Sequence, residues 1–121
     1  MDDAVLQQRT KIFGLGIIRL VEGLPESLTA STIGGQLLRS GNLVGAKYRA
    51  ASKAHSPREK FVHLDAAHEK ADESLYLMEM LVEAKLIDEA RVAPLIKEAT
   101  ALVNILSQAV IEQRGLLGPE K

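Results

Sequence analysis

The stretch AHSPREKF, residues 54–61, stops one helix and starts another. Ser56 can cap, Pro57 suits a first helical position, where its missing N–H is not needed, and Glu59 lies three residues after the cap, completing a capping box. Beyond it, Phe61, Leu64, His68, Ala71, Leu75, Met78 and Val82 recur at alternating steps of three and four, which holds them on one helical face. Only His68 interrupts that apolar stripe. Leu86 and Ile87 close the segment.

Three more helical segments follow from similar punctuation. The first spans about Asp3 to Glu22 and stops at Gly23-Leu24-Pro25, a glycine stop followed by a proline. The second runs from Ser27 or Thr29 to Ser52. Asp88 is the candidate cap of the fourth, and Pro94 lies too deep for a first turn begun there. Either a short turn precedes Pro94 or the main helix starts near Ala93. From that point Leu95, Ala99, Leu102, Leu106 and Ala109 form a stripe ending near Arg114, and the tail GLLGPEK should fray. Long helices joined by short connections pack antiparallel, so the expected fold is all-α, an up-down-up-down antiparallel four-helix bundle over residues 1–114 with a flexible tail at 115–121.

Composition agrees with helices around an aliphatic core. The chain has 121 residues, enough for one domain, with two Phe, two Tyr and no Trp. It has no cysteine, so disulfides and thiolate metal sites are excluded. The beginning of the chain, with Asp2 and Asp3, does not read as a signal peptide, and the run from Ile12 to Val21 is too short for a bilayer span, so a cytoplasmic protein with no membrane partner is expected. The first helix offers Leu6, Phe13, Ile17 and Leu20 for the core but also Ile12 and Ile18, and the fourth adds Ile96, Val103 and Val110. A second apolar face of this kind predicts self-association.

Charge is divided along the chain although the net is only −1. Residues 39–60 hold six Lys or Arg and the single acid Glu59, whereas residues 65–98 hold nine acids against four bases. On the second helix Gly34, Leu38, Gly41, Gly45 and Tyr48 fall on one side, and Gly35, Arg39, Asn42, Ala46, Ala50 and Lys53 on the other, with Lys47 apart from both. Glycine inside a helix costs ~1 kcal/mol against alanine, so Gly41 and Gly45 need a packing reason, most simply the close approach of another helix at a core or subunit contact. Arg39, Arg49 and Lys53 share a face, and Arg58 and Lys60 follow at the next helix start. With Lys47 these six are the candidate nucleic-acid-binding residues. Gly41, Gly45, Tyr48 and His68 are the candidate packing or interface residues.

Catalytic patterns are weaker. Asp65, His68 and Asp72 put a carboxylate–imidazole–carboxylate set on one helical face, but His55 and His63 lie in the preceding loop and on the same helix, so the second half of a di-metal bundle site is missing. His68 is therefore read as a core-edge or interface histidine paired with Asp65 or Asp72. His63 and Tyr76 have no nucleophile beside them, and no phosphate-binding glycine motif is present. No catalytic residue, metal or cofactor is assigned.

The segments QLLRSGNLVGAKYRAAS, SPREKFVH and EKADESLYLMEMLVEAKLID resemble the bacterial four-helix-bundle proteins known as 23S rRNA-intervening-sequence proteins. Arg39, Ser40, Gly41, Gly45, Ala46, Tyr48 and Arg49 match that family's second-helix signature, as do Phe61, His63, Ala71, Glu73 and Tyr76. Asn42, Lys47 and Leu77 depart from it. The resemblance implies a homo-oligomeric ring, commonly a homopentamer, without enzymatic activity. That family in turn resembles the accessory protein of diversity-generating retroelements, a basic ring that binds a reverse transcriptase and nucleic acid, whereas this chain is not basic overall. The leading expectation is a scaffold or binding module, with an RNA- or DNA-binding accessory factor as the alternative and a metal-dependent enzyme third.

Overall fold

The computed structural model describes residues 2–118, which form four helices and no strand: α1 (Asp3–Glu22), α2 (Leu28–Ser52), α3 (Pro57–Glu83) and α4 (Glu89–Gly115). Each helix packs along its neighbours in sequence, and α4 returns to touch α1 along a short stretch, which closes an antiparallel up-down-up-down bundle.

Local chemistry sets most boundaries. Asp2 caps α1, and Ser27 caps α2 by accepting a hydrogen bond from the Ala30 N–H at 3.1 Å. Ser56 accepts from the Glu59 N–H at 3.1 Å, as the capping box requires, but the Glu59 carboxylate reaches one residue further back and accepts from the His55 N–H at 2.6 Å. The end of α3 differs from expectation: the helix stops at Glu83, not at Leu86–Ile87. Lys85 takes a left-handed conformation (φ 60°), and the Leu86 and Lys85 N–H groups bond back to the Leu81 and Val82 carbonyls, a Schellman closure built without glycine.

Pro94 also behaves differently from the sequence expectation. Helix α4 begins at Glu89 and runs through Pro94 unbroken, with neither a separate turn nor a late start. Ala90, whose carbonyl loses its usual donor to the proline ring, is exposed, as are Ala93 and Pro94, so water can serve the freed carbonyl. Asp88 occupies the capping position without making a side-chain cap bond. The helix passes Arg114 by one residue, and the expected fraying of Pro119–Lys121 falls outside the described residues.

The core is chiefly aliphatic, with Ile17, Leu37, Val44, Met78, Leu81, Leu102 and Leu106 packed around the one fully buried aromatic ring among the described residues, Phe13. On α3 the buried line is rotated relative to the expected stripe. Ala67, Ser74, Leu77 and Leu81 lie inside with Leu64, Ala71 and Met78, while Phe61, His68, Leu75 and Val82 sit at its edge. The small side chains Ala67, Ala71 and Ser74 let α2 approach, and buried Ser74 donates to buried Ser40 at 2.9 Å across that contact. On α4 the anticipated second apolar face is largely consumed. Val110 is buried and Ile96 and Val103 pack against the core, because the helix covers α3 on one side and reaches α1 on the other.

Candidate interaction surface

The side of α2 that carries Asn42, Ala46, Arg49 and Lys53 faces a groove shared with α1. Opposite them α1 contributes Gln7, Gln8, Lys11 and Leu15, and the groove holds about 640 Å³. Its floor is low because the two helices are close. A methyl group on Gly41 would stand 2.7 Å from Ile17 Cγ1, so only glycine fits there without displacing α1. One turn on, the Gly45 position looks onto the Thr10 backbone oxygen at 3.4 Å, an ordinary contact. Gly14 on α1 answers from the other side, against Asn42. The glycine pair thus serves a contact inside the protomer. Gly35, by contrast, faces open space, and no packing reason applies to it.

Below the groove a polar cluster ties α1 to the end of α2. The Tyr48 and Ser52 hydroxyls each donate to Asp3 Oδ1 at 2.7 Å, and Gln7 Nε2 donates to Asp3 Oδ2 at 2.8 Å. These bonds, Tyr48's foremost, hold the Asp3 carboxyl below the ordinary carboxylate range, with nearby Lys60 adding to the effect. Burial first, and then the Asp3 carboxylate, push the Tyr48 hydroxyl well above its ordinary value. Tyr48 is therefore a packing residue with a specific polar partner.

The cation set divides. Arg49 and Lys53 come together with Lys11, and among the described residues no carboxylate lines their groove. Arg39 continues the same exposed face of α2 beyond the groove, and Lys47 sits half-buried away from it. Arg58 and Lys60 are exposed at the start of α3, Lys60 next to Asp3. His68 is half-buried at the edge of the α3 core line and makes no hydrogen bond or ion pair with Asp65 or Asp72, both of which are exposed, so the expected pairing is not formed. Among the described residues no three His, Asp or Glu side chains converge as a metal site would need. His63 lies 4.0 Å from Glu59, and Tyr76 is exposed.

Two features escaped sequence reasoning. A second groove of about 690 Å³ runs between α1 and α4, with Ile12 and Leu95 on its walls and Arg19 and Arg91 beside them. Across it Arg9 grips Glu98 with two parallel hydrogen bonds, 2.7 and 2.8 Å. The recurrence of Ala4, Gln8, Lys11 and Leu15 at steps of three and four was the available signal for the α1 wall of the first groove. Nothing local marks Arg9 and Glu98, which are 89 positions apart.

Among the described residues no helix is long and apolar enough to cross a membrane. No family model matches the chain, and no curated protein matches it. Among solved structures the chain is similar to a protein of unknown function from the S23 ribosomal protein family of Bacteroides thetaiotaomicron VPI-5482, with a TM-score of 0.83 and 25% identity. The similarity covers 91% of this chain and 98% of that one, so the four-helix architecture is common to both nearly end to end.

Proposed function

We propose that the chain is a non-enzymatic building block of a homo-oligomeric ring that works as a scaffold or binding module. The observation that carries this reading is the outward ridge of α1, where Val5, Ile12 and Leu15 remain 51%, 57% and 46% exposed although the bundle core is complete without them. Apolar residues grouped along one helix and flanked by grooves on both sides mark a surface that another protein covers. The bundle shared with a protein of the S23 ribosomal protein family is compatible with such a role, and the five-fold number rests on the sequence resemblance to the 23S rRNA-intervening-sequence proteins. Light scattering on the purified chain should give a mass about five times the 13.1 kDa of one copy. A stable single chain at micromolar concentration overturns the reading.

A second reading is favoured by the groove that joins Lys11, Arg49 and Lys53 without a carboxylate among the described residues. As an accessory factor for RNA or DNA, in the company of a reverse transcriptase, the protein would hold phosphates there. Binding would then fall steeply with salt, because each neutralised phosphate releases condensed counterions. No binding at ~50 mM salt ends that reading.

A further inference from the structure

Two exposed faces of the bundle are opposite in charge and both carry apolar side chains. Along α3, Val62, Asp65, Glu69, Asp72, Tyr76 and Met80 recur at steps of three and four on the side turned away from the core, and all are exposed. Three carboxylates are thus set among three large apolar side chains. Lys70, between Glu69 and Asp72 in sequence, is occupied by Glu73 at 3.2 Å, and exposed Arg58 stands one turn before Val62 at the stripe's N-terminal end. The α1/α2 face has the opposite character. Arg49, Lys53 and Lys11 line a low floor made by Ala46 and Gly45, with Leu15 as its apolar wall, and Arg39 lies beyond the groove on the same exposed face of α2. At 1.5 Å per residue the α3 stripe from Val62 to Met80 is about 27 Å long, with its carboxylates over about 10 Å of it, and the basic stripe from Arg39 to Lys53 is about 21 Å.

We propose that the α1/α2 groove of one copy receives the outward α3 face of the next. The two faces belong to different helices of one chain, so each docked copy leaves its own groove open for another. Such a contact is heterologous, and it propagates head to tail until it closes into a ring. Tyr76 and Met80 supply the apolar anchors and Leu15 the wall they meet, while carboxylates face guanidinium and ammonium groups across the rim. Complementary potentials of this kind fix register and suppress the face-to-face alternatives, because groove on groove or α3 on α3 would bring like charges together. This inference rests on the homo-oligomer reading and adds the pairing of surfaces to it.

Charge exchange tests the pairing on the full chain. Arg49→Glu with Lys53→Glu should shift the mass from oligomer to single chain, and Asp65→Lys with Asp72→Lys should do the same. The chain carrying all four substitutions should assemble again, since its faces are complementary with the signs reversed. Far-UV circular dichroism checks that helix content is kept. Where a reversal reduces it, Arg49→Gln with Lys53→Gln removes charge without adding repulsion and must still raise the dissociation midpoint at least tenfold. A wild-type oligomer whose mass neither reversal alters overturns the pairing and leaves the homo-oligomer reading standing. A wild-type monomer overturns both. Variants at Arg49 and Lys53 that keep their mass and lose only RNA binding overturn the pairing in favour of a phosphate-holding groove.

Discussion

Helix α1 meets its two neighbours by opposite means. Toward α2 it presents Gly14 and the Thr10 backbone to Gly41 and Gly45, so main chains approach until a single added methyl would collide with Ile17. Toward α4 it meets the Leu95 side chain at Gly16, leaves a groove open beside that contact, and spans it with the long side chains of Arg9 and Glu98. Close approach by small residues gives a stiff, geometrically demanding contact, because packed interiors have no slack for extra volume. A gap bridged by partly exposed charges is tolerant, since water and salt compete for the same groups. The first contact should therefore respond strongly to volume and the second weakly to charge.

The largest effect is expected at Gly41. Gly41→Leu forces side-chain volume against Ile17, where even the first carbon lies 2.7 Å away, and the cost should reach ~3 kcal/mol. For a domain of this size that corresponds to a fall in Tm of roughly 10 °C. A melting temperature unchanged within error would mean that α1 is not held against α2 as described, and the comparison of the two contacts would fail with it.

Much of this was legible in sequence, and the rest has identifiable reasons for being hidden. The ends of α1 and the start of α3 were readable because Gly23, Pro25, Ser56 and Pro57 have strong positional preferences of their own. The end of α3 was not, because its left-handed position is filled by Lys85, a residue that does not announce a stop. Pro94 misled for the opposite reason: a strong breaker is tolerated where the freed carbonyl belongs to the exposed residue Ala90. Gly41 and Gly45 were equal in the sequence, yet only Gly41 is sterically required, since the spacing of small residues does not say which one faces a side chain. The joining of Asp3 to Tyr48, 45 positions apart, depends on how α1 and α2 pack and had no local signature.

An intermediate effect is expected at that polar cluster, which anchors the open end of the close contact. Tyr48→Phe removes the donor to Asp3 while leaving the ring packed, and should cost about 1 kcal/mol near neutral pH. The pH dependence has a defined sign. Because the folded Asp3 carboxyl lies below its unfolded value, its contribution is complete above that unfolded value, ~3.9, and is lost as pH falls through the folded one. The Tyr48 hydroxyl is raised, so its contribution is complete below the unfolded value of ~10 and is lost as pH rises through the folded one. Denaturant titrations of Tyr48→Phe should therefore show a shallower loss of stability at the acid end and no tyrosine-linked loss at the alkaline end. An acid limb as steep as the wild type's would show that Ser52 and Gln7 hold Asp3 without Tyr48.

The smallest effect belongs to the α1/α4 side. Arg9 and Glu98 form a two-point ion pair of good geometry, and the Glu98 carboxylate holds the Arg9 guanidinium above its ordinary value. Each side chain is nonetheless 30% exposed, so solvent screens the pair and two long side chains lose freedom to form it. A double-mutant cycle of Arg9→Ala and Glu98→Ala should give a coupling of about 0.5–1 kcal/mol that shrinks with added salt. A coupling near zero would leave the α1/α4 contact resting on its apolar contacts alone and make the contrast with the glycine-packed side starker. A coupling above ~2 kcal/mol that salt does not reduce would instead place the pair away from solvent, as it would be if a second copy covered the α1/α4 groove. In that event the outward surface of α1 would be engaged on its α4 side, and the assignment of the neighbouring copy to the α1/α2 groove would have to give way.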